Sequence, residues 1–162
     1  MRERSSNSML ETYRVSLFGH RQMHNLKTLE ESLYPVLSEL MKSHAFVEFY
    51  VGRNGAFDEF AASVVKRIQK ECGQETSELT LVLPCSVKDV EYFEKYYDNI
   101  LFPVKAHYKA AITKRNEWMI DNSDLVVCYV ERESGGAYSA MKYAYKRGKQ
   151  IINLVKKDGL NT

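Results

Sequence analysis

The feature that most constrains this chain is a regular alternation of short, continuously apolar runs with longer segments of helical period. Five runs qualify as strands: Tyr13–Phe18, Phe46–Val51, Leu79–Leu83, Leu125–Val130 and Gln150–Leu154. Each is too short and too evenly apolar to be a half-solvated hairpin strand, so together they predict a buried, mostly parallel sheet. Between the first two, Leu26, Leu29, Leu33, Val36 or Leu37, and Leu40 recur at helical spacing, with Pro35 expected to kink or divide that helix. Phe57, Phe60, Ala61, Val64, Val65 and Ile68 form a second stripe. A third helix is expected from His107 to Asp121 and a fourth from Ala137 to Arg147, closed by Gly148 as a C-cap. This order, joined by right-handed crossovers, specifies an α/β doubly wound domain with a mostly parallel five-stranded sheet and helices on both faces.

A length of 162 residues fits one domain. It is expected to span residues 13–158 behind a flexible N-terminus of residues 1–12. The irregular part, Cys85 to Ala106, carries Tyr92, Phe93, Tyr96, Tyr97, Ile100, Leu101 and Phe102. It reads as a short amphipathic helix packed against the sheet edge, with ligand stacking as the alternative.

Charge narrows the partners. The 23 basic and 21 acidic residues leave +2, so no global field draws the chain to nucleic acid or an anionic membrane, and neither is expected as a partner. From Lys105 to Asp158, however, 11 Lys/Arg face 6 Asp/Glu, against 12 and 15 elsewhere, which favours a local anionic ligand. No apolar run approaches the roughly 18 residues of a membrane span, and the N-terminus lacks an apolar signal region, so a cytoplasmic location is expected. Cys72, Cys85 and Cys128 are odd in number and far apart, which predicts reduced thiols and no zinc ribbon. His20 and His24 have i,i+4 spacing but no third ligand, so no metal and no cofactor is expected.

Ligands of open parallel sheets bind beyond the carboxyl ends of the strands. The residues there are Gly19-His20-Arg21, Gly52-Arg53-Asn54-Gly55, Pro84-Cys85, and Glu131 to Gly136. Three of these four loops contain glycine, and the helix starts after Gly55 and Gly136 aim free N–H groups at the same edge, an arrangement suited to a nucleotide phosphate. Neither a G-x-G-x-x-G nor a G-x-x-x-x-G-K-[ST] pattern is present, which argues against a dehydrogenase or a P-loop NTPase. Arg115 lies on the apolar face marked by Tyr108, Ala111, Ile112 and Met119. A guanidinium there needs an anion, either a ligand or an internal partner such as Asp124 or Asp58. Asn116 beside it offers an amide for a base or ribose. Asp58 and Glu59 would repel a phosphate at their helix start, so a ribose hydroxyl suits them better. The phosphate then falls to Gly135-Gly136 with Arg115 or Arg21, and Cys85 reads as structural.

Ser16-Leu17-Phe18-Gly19-His20-Arg21, Gly52 to Asp58, Arg115-Asn116 with Met119, Asp121, Ser123 and Asp124, and Gly135-Gly136 before Tyr143-Ala144 together resemble the SLOG superfamily, in its small single-domain branch. The resemblance runs from Tyr13 to Leu154. It implies a Rossmann-like domain that binds nucleotides or nucleotide-derived ligands, as a sensor in some branches and an N-glycosidic hydrolase in others. LOG-type hydrolases carry P-G-G-x-G-T-x-x-E with a catalytic glutamate. Aligned on Gly135-Gly136, this chain has Ser134, Tyr138 and Ser139 in place of the proline, third glycine and threonine, and Lys142 in place of the glutamate. The expectation is therefore a nucleotide-binding sensor or regulatory domain whose site comprises Gly19, His20, Arg21, Gly52, Asn54, Gly55, Asp58, Arg115, Asn116, Gly135, Gly136 and Ser139. The alternatives are a LOG-like or deoxyribosyltransferase-like enzyme, with Asp58 and Glu59 as candidate catalytic carboxylates, and an interaction module working through Tyr92 to Phe102. Self-association is left open.

Overall fold

The computed structural model describes residues 11–155. Most of the expected N-terminal segment and the last residues of the expected domain lie outside them. The chain runs β1 (Thr12–Gly19), α1 (Leu26–Ser43), β2 (Phe46–Val51), α2 (Ala56–Cys72), β3 (Ser77–Val82), α3 (Val90–Glu94), β4 (Asn99–Leu101), α4 (Tyr108–Asp121), β5 (Leu125–Tyr129), α5 (Gly135–Lys146) and β6 (Gln150–Asn153). All five strand pairings are parallel, in the order β4-β3-β2-β1-β5-β6.

The strands read as continuous apolar runs because both faces are covered. Odd-numbered residues of β1 and β2 (Val15, Leu17, Val47, Phe49, Val51) face the core under α1 and α2, where Leu29, Leu33, Leu37, Phe57 and Ile68 are fully buried. Even-numbered residues (Phe18, Tyr50) meet Met119, Ile120, Ala140 and Ala144 of α4 and α5. The small alanines let α5 lie close to the sheet.

One polar residue breaks the apolar run of β2. Glu48 is buried, and its two carboxylate oxygens accept from Arg14 Nε at 3.0 Å and Thr80 Oγ1 at 2.7 Å on the flanking strands. Both partners are within the sheet, so the charge stays satisfied. Burial, with Glu48 beside it, pushes the Tyr50 hydroxyl up to about 12.

Two expectations need correction. The sheet has six strands instead of five, because the aromatic segment supplies α3 and then the three-residue edge strand β4. Helix α1 is a single element through Pro35. That proline is exposed, so the carbonyl deprived of its partner, on the equally exposed Glu31, faces water.

Candidate functional site

The strand order reverses between β1 and β5, and the two crossovers leave a crevice at the carboxyl edge there. A cavity of about 110 Å³ occupies it. Its walls are Phe18 and Gly19 at the end of β1, Arg21 just after it, and Gly52, Asn54 and Asp58 around the β2–α2 turn. Ile112, Arg115 and Asn116 of α4 and Gly136 and Ala137 of α5 complete the lining.

Arg115 is the centre of this arrangement. It is only 2% exposed. Its Nη1 donates to the Val82 carbonyl at 2.7 Å and its Nε to Asn116 Oδ1 at 2.8 Å. The alternative of an internal ion pair to Asp124 or Asp58 is not formed: among the described residues no carboxylate is within ion-pair distance of Arg115, and Asp124 instead accepts the Arg14 backbone N–H. Burying a guanidinium costs several kcal/mol, and hydrogen bonds from a charged donor return about 1.5–3 kcal/mol each. The two bonds offset much of that cost and leave the guanidinium without a carboxylate in direct contact. Burial lowers the Arg115 pKa, with the nearby Asp58 acting against it; a guanidinium remains charged at neutral pH regardless.

Asp58 stands at the third position of α2 and is buried. Its Oδ2 accepts the Asn54 N–H at 2.8 Å, closing the β2–α2 turn just ahead of the helix. Burial raises its pKa, against the lowering effects of the Asn54 N–H and of Arg115.

The glycines divide into two groups. A Cβ on Gly19 would sit 2.1 Å from Phe57 Cγ, one on Gly52 2.7 Å from Arg115 Nη1, and one on Gly55 2.5 Å from the Arg21 Cα. Those three are required by packing within the chain. The Gly55 contact accompanies a hydrogen bond from the Ala56 N–H to the Arg21 carbonyl at 2.8 Å, which locks the first two loops together. At the start of α5, by contrast, a Cβ on Gly135 or Gly136 would meet nothing within 4 Å, and Gly135 has φ +90°, which favours glycine.

Four residues expected at the site lie outside the cavity lining: His20, Gly55, Gly135 and Ser139. Gly55 and Gly135 flank lining residues in sequence. His20 is buried, and its Nε2 accepts the Glu131 N–H at 2.9 Å, tying the loop after β1 to the loop after β5. Burial, aided by Arg132, lowers its pKa, so the ring is the neutral acceptor this bond needs. Ser139 is exposed on α5. Glu59 is exposed and 3.9 Å from Arg53, away from the cavity. Lys142 is exposed too, its Nζ 5.2 Å from the centre of the Tyr138 ring. The lining residues that sequence reasoning passed over are Phe18, Ile112 and Ala137. Ile112 carried a usable signal, since it precedes Arg115 by three positions and shares its helix face. The side chain of Tyr108 lies outside the described residues.

Among the described residues, no three His, Cys, Asp or Glu are grouped to hold a metal ion, and no helix is long and apolar enough to cross a membrane. Cys72 and Cys85 are exposed and free; Cys128 is buried, its thiol pushed up to about 12 by burial.

No family model and no curated protein matches the chain. Solved structures do. DNA processing protein A (DprA) from Streptococcus pneumoniae superposes with a TM-score of 0.67 at 14% identity, over 95% of this chain and 54% of its own. The present chain thus spans about half the length of that protein. DprA from Helicobacter pylori gives 0.64 at 17% identity, over 94% of this chain and 70% of its own. TM1055, a structural-genomics target, gives 0.58 at 16%, over 86% and 72%.

These likenesses bear on the expectation that nucleic acid is not a partner, and they overturn it. The Helicobacter pylori protein, with the same fold over nearly the whole of this chain, binds single-stranded DNA. The expectation rested on a net charge of +2. Net charge describes the far field, whereas binding at a sheet edge depends on a few groups placed within a Debye length.

Proposed function

We propose that this chain, built on the Rossmann-like fold of SLOG proteins, binds a nucleotide or nucleotide-derived ligand at the β1/β5 crevice, with its phosphate at Arg115. One observation carries the reading: a guanidinium that is 98% buried lines the cavity, and no carboxylate among the described residues forms an ion pair with it, Asp58 acting on it only at longer range. Opposite stands the opening turn of α5, whose free N–H groups and positive dipole end favour an anion. Asp58 has one oxygen engaged by Asn54, which leaves the other for a ribose hydroxyl. Arg21 adds charge at the rim.

Calorimetric titration with inorganic phosphate and with nucleoside mono-, di- and triphosphates tests this. Arg115→Gln, whose amide nitrogen falls where the guanidinium Nε stands and can still donate to Asn116 Oδ1, is expected to retain the fold and to weaken phosphate-bearing ligands ten- to a hundredfold, the worth of a charge-assisted hydrogen bond. Unchanged affinity would dismiss the site.

A second reading follows from the Helicobacter pylori structure: the phosphate is that of a single strand. A third, hydrolysis of an N-glycosidic bond, would require Asp58 or Glu59 to support oxocarbenium-like charge. Asp58 is tied into the α2 cap, and Lys142 stands where LOG enzymes have their glutamate. No free base should therefore appear when adenosine monophosphate is incubated with the protein. Release of base that is lost on Asp58→Asn would promote the enzyme over the sensor.

A further inference from the structure

On the far side of the β2–α2 turn lies a second concavity that the phosphate reading does not use. It is a groove of about 610 Å³ between α2 and the segment Val90 to Tyr97, lined by Tyr92, Phe93, Tyr96 and Tyr97 with Arg53 and Lys95, and with Glu59 at its side. Two of its rings are open to water, Tyr92 at 69% and Tyr96 at 39% exposure. They are nevertheless held in place. Tyr92 stands edge-on to Phe93 at 5.4 Å, and Tyr96 edge-on to Tyr97 at 5.0 Å. The Arg53 guanidinium lies 5.0 Å from the Phe93 ring centre, and Lys66 Nζ lies 4.4 Å from that of Tyr96.

Size and position connect this groove to the first site. Ligand pockets run from about 300 to 1,000 Å³. The Arg115 cavity, at about 110 Å³, holds no more than a phosphate and part of a sugar, whereas the groove is large enough for a base. Consecutive residues serve opposite sides. Gly52 and Asn54 line the cavity while Arg53 lines the groove, and Asp58 lines the cavity while Glu59 lines the groove. Neighbouring Cα atoms are about 3.8 Å apart, so the two concavities share the β2–α2 turn as a common border. Fixed rings beside cations, with two basic residues against one acidic in the lining, are complementary to a planar base on an anionic linker.

We infer that this aromatic groove is a second subsite, for a nucleobase, occupied by a ligand of at least two nucleotide units whose first phosphate sits at Arg115 and whose chain crosses the Gly52–Asn54 turn. The inference rests on the phosphate reading above. A free dinucleotide and the end of a single strand offer the same chemistry.

A length series separates the outcomes: adenosine monophosphate, the 5′-phosphorylated adenine dinucleotide, and an eight-residue deoxyadenosine oligonucleotide, titrated by calorimetry. The dinucleotide should bind about tenfold more tightly than the monophosphate, the usual worth of one stacked base. Tyr96→Ala, Arg53→Ala and Tyr92→Ser, at the most exposed of the rings, should each reduce that gain while leaving monophosphate affinity unchanged. Equal affinity for dinucleotide and oligonucleotide assigns the ligand as a free dinucleotide; a further rise with length assigns a strand, and both support the subsite. A flat series in a protein whose binding still depends on Arg115 overturns the subsite alone. Binding indifferent to Arg115, or no binding of any member, overturns the phosphate reading and the subsite with it.

Discussion

At the end of β1 a methyl group on Gly19 would lie 2.1 Å from the Phe57 ring, whereas at the start of α5 one on Gly136 would meet nothing within 4 Å. Both glycines line the same cavity. In the loops after β1 and β2, glycine is there so that α2, Arg115 and the Arg21 backbone can approach. The start of α5 makes no such demand, and its open backbone is what a ligand would meet. A glycine at a strand's carboxyl end is therefore evidence of a ligand only when the chain itself does not fill the space.

The strongest way to break this distinction is Gly19→Ala. The added carbon must displace a fully buried ring, and overpacking of this order costs about 3 kcal/mol. Denaturant unfolding should show the loss; a change below about 1 kcal/mol would mean that Phe57 is free to move and that the two glycine groups do not differ.

Gly136→Val probes the opposite side. Stability should change by less than about 1 kcal/mol, since glycine and valine differ little in helix propensity and the Cβ has open space, while phosphate-bearing ligands lose at least a hundredfold in affinity as the side chain enters the cavity. Full retention of binding in calorimetry would remove α5 from the site.

Gly135→Ala sharpens the contrast within one loop, since only its φ of +90° resists a side chain. About 1–2 kcal/mol of stability should be lost through backbone strain, with no clash to relieve. Thermal unfolding of Gly135→Ala beside Gly136→Ala would resolve strain from space.

The smallest effect concerns the tie between the two loops. The folded pKa of His20 is below the unfolded value of about 6.5, so the neutral ring contributes stability that is complete above pH 6.5 and is lost as pH falls through the folded value. His20→Gln keeps an acceptor for the Glu131 N–H and cannot titrate. Its stability relative to the wild type should therefore improve on going from pH 7.5 to 5.5, and a constant difference would show that His20 does not titrate in this window.

The sequence disclosed the main architecture because its signals are local. Phe46–Val51 and the stripe from Phe57 to Ile68 have the periods of a buried strand and of an amphipathic helix, and both elements form over those residues. Arg115 was legible for a related reason: a charge on an apolar helical stripe is a conflict that some partner must resolve. Strand β4 was not legible, since its three residues have no period of their own and pair only because β3 presents an open edge. His20 was misleading, as its place beside Gly19 fixes its position along the chain and says nothing of its direction.

What the sequence determined by itself is thus the parallel α/β architecture and the edge where binding groups gather, because hydrophobic period and chain order suffice for both. Only the tertiary structure decided which glycines are spoken for, that Arg115 forms no ion pair among the described residues, and that Arg53 and Gly52 open on different sides. Those are distances between residues far apart in the chain, or directions of side chains, and they are fixed when α2, α4 and α5 pack against one sheet.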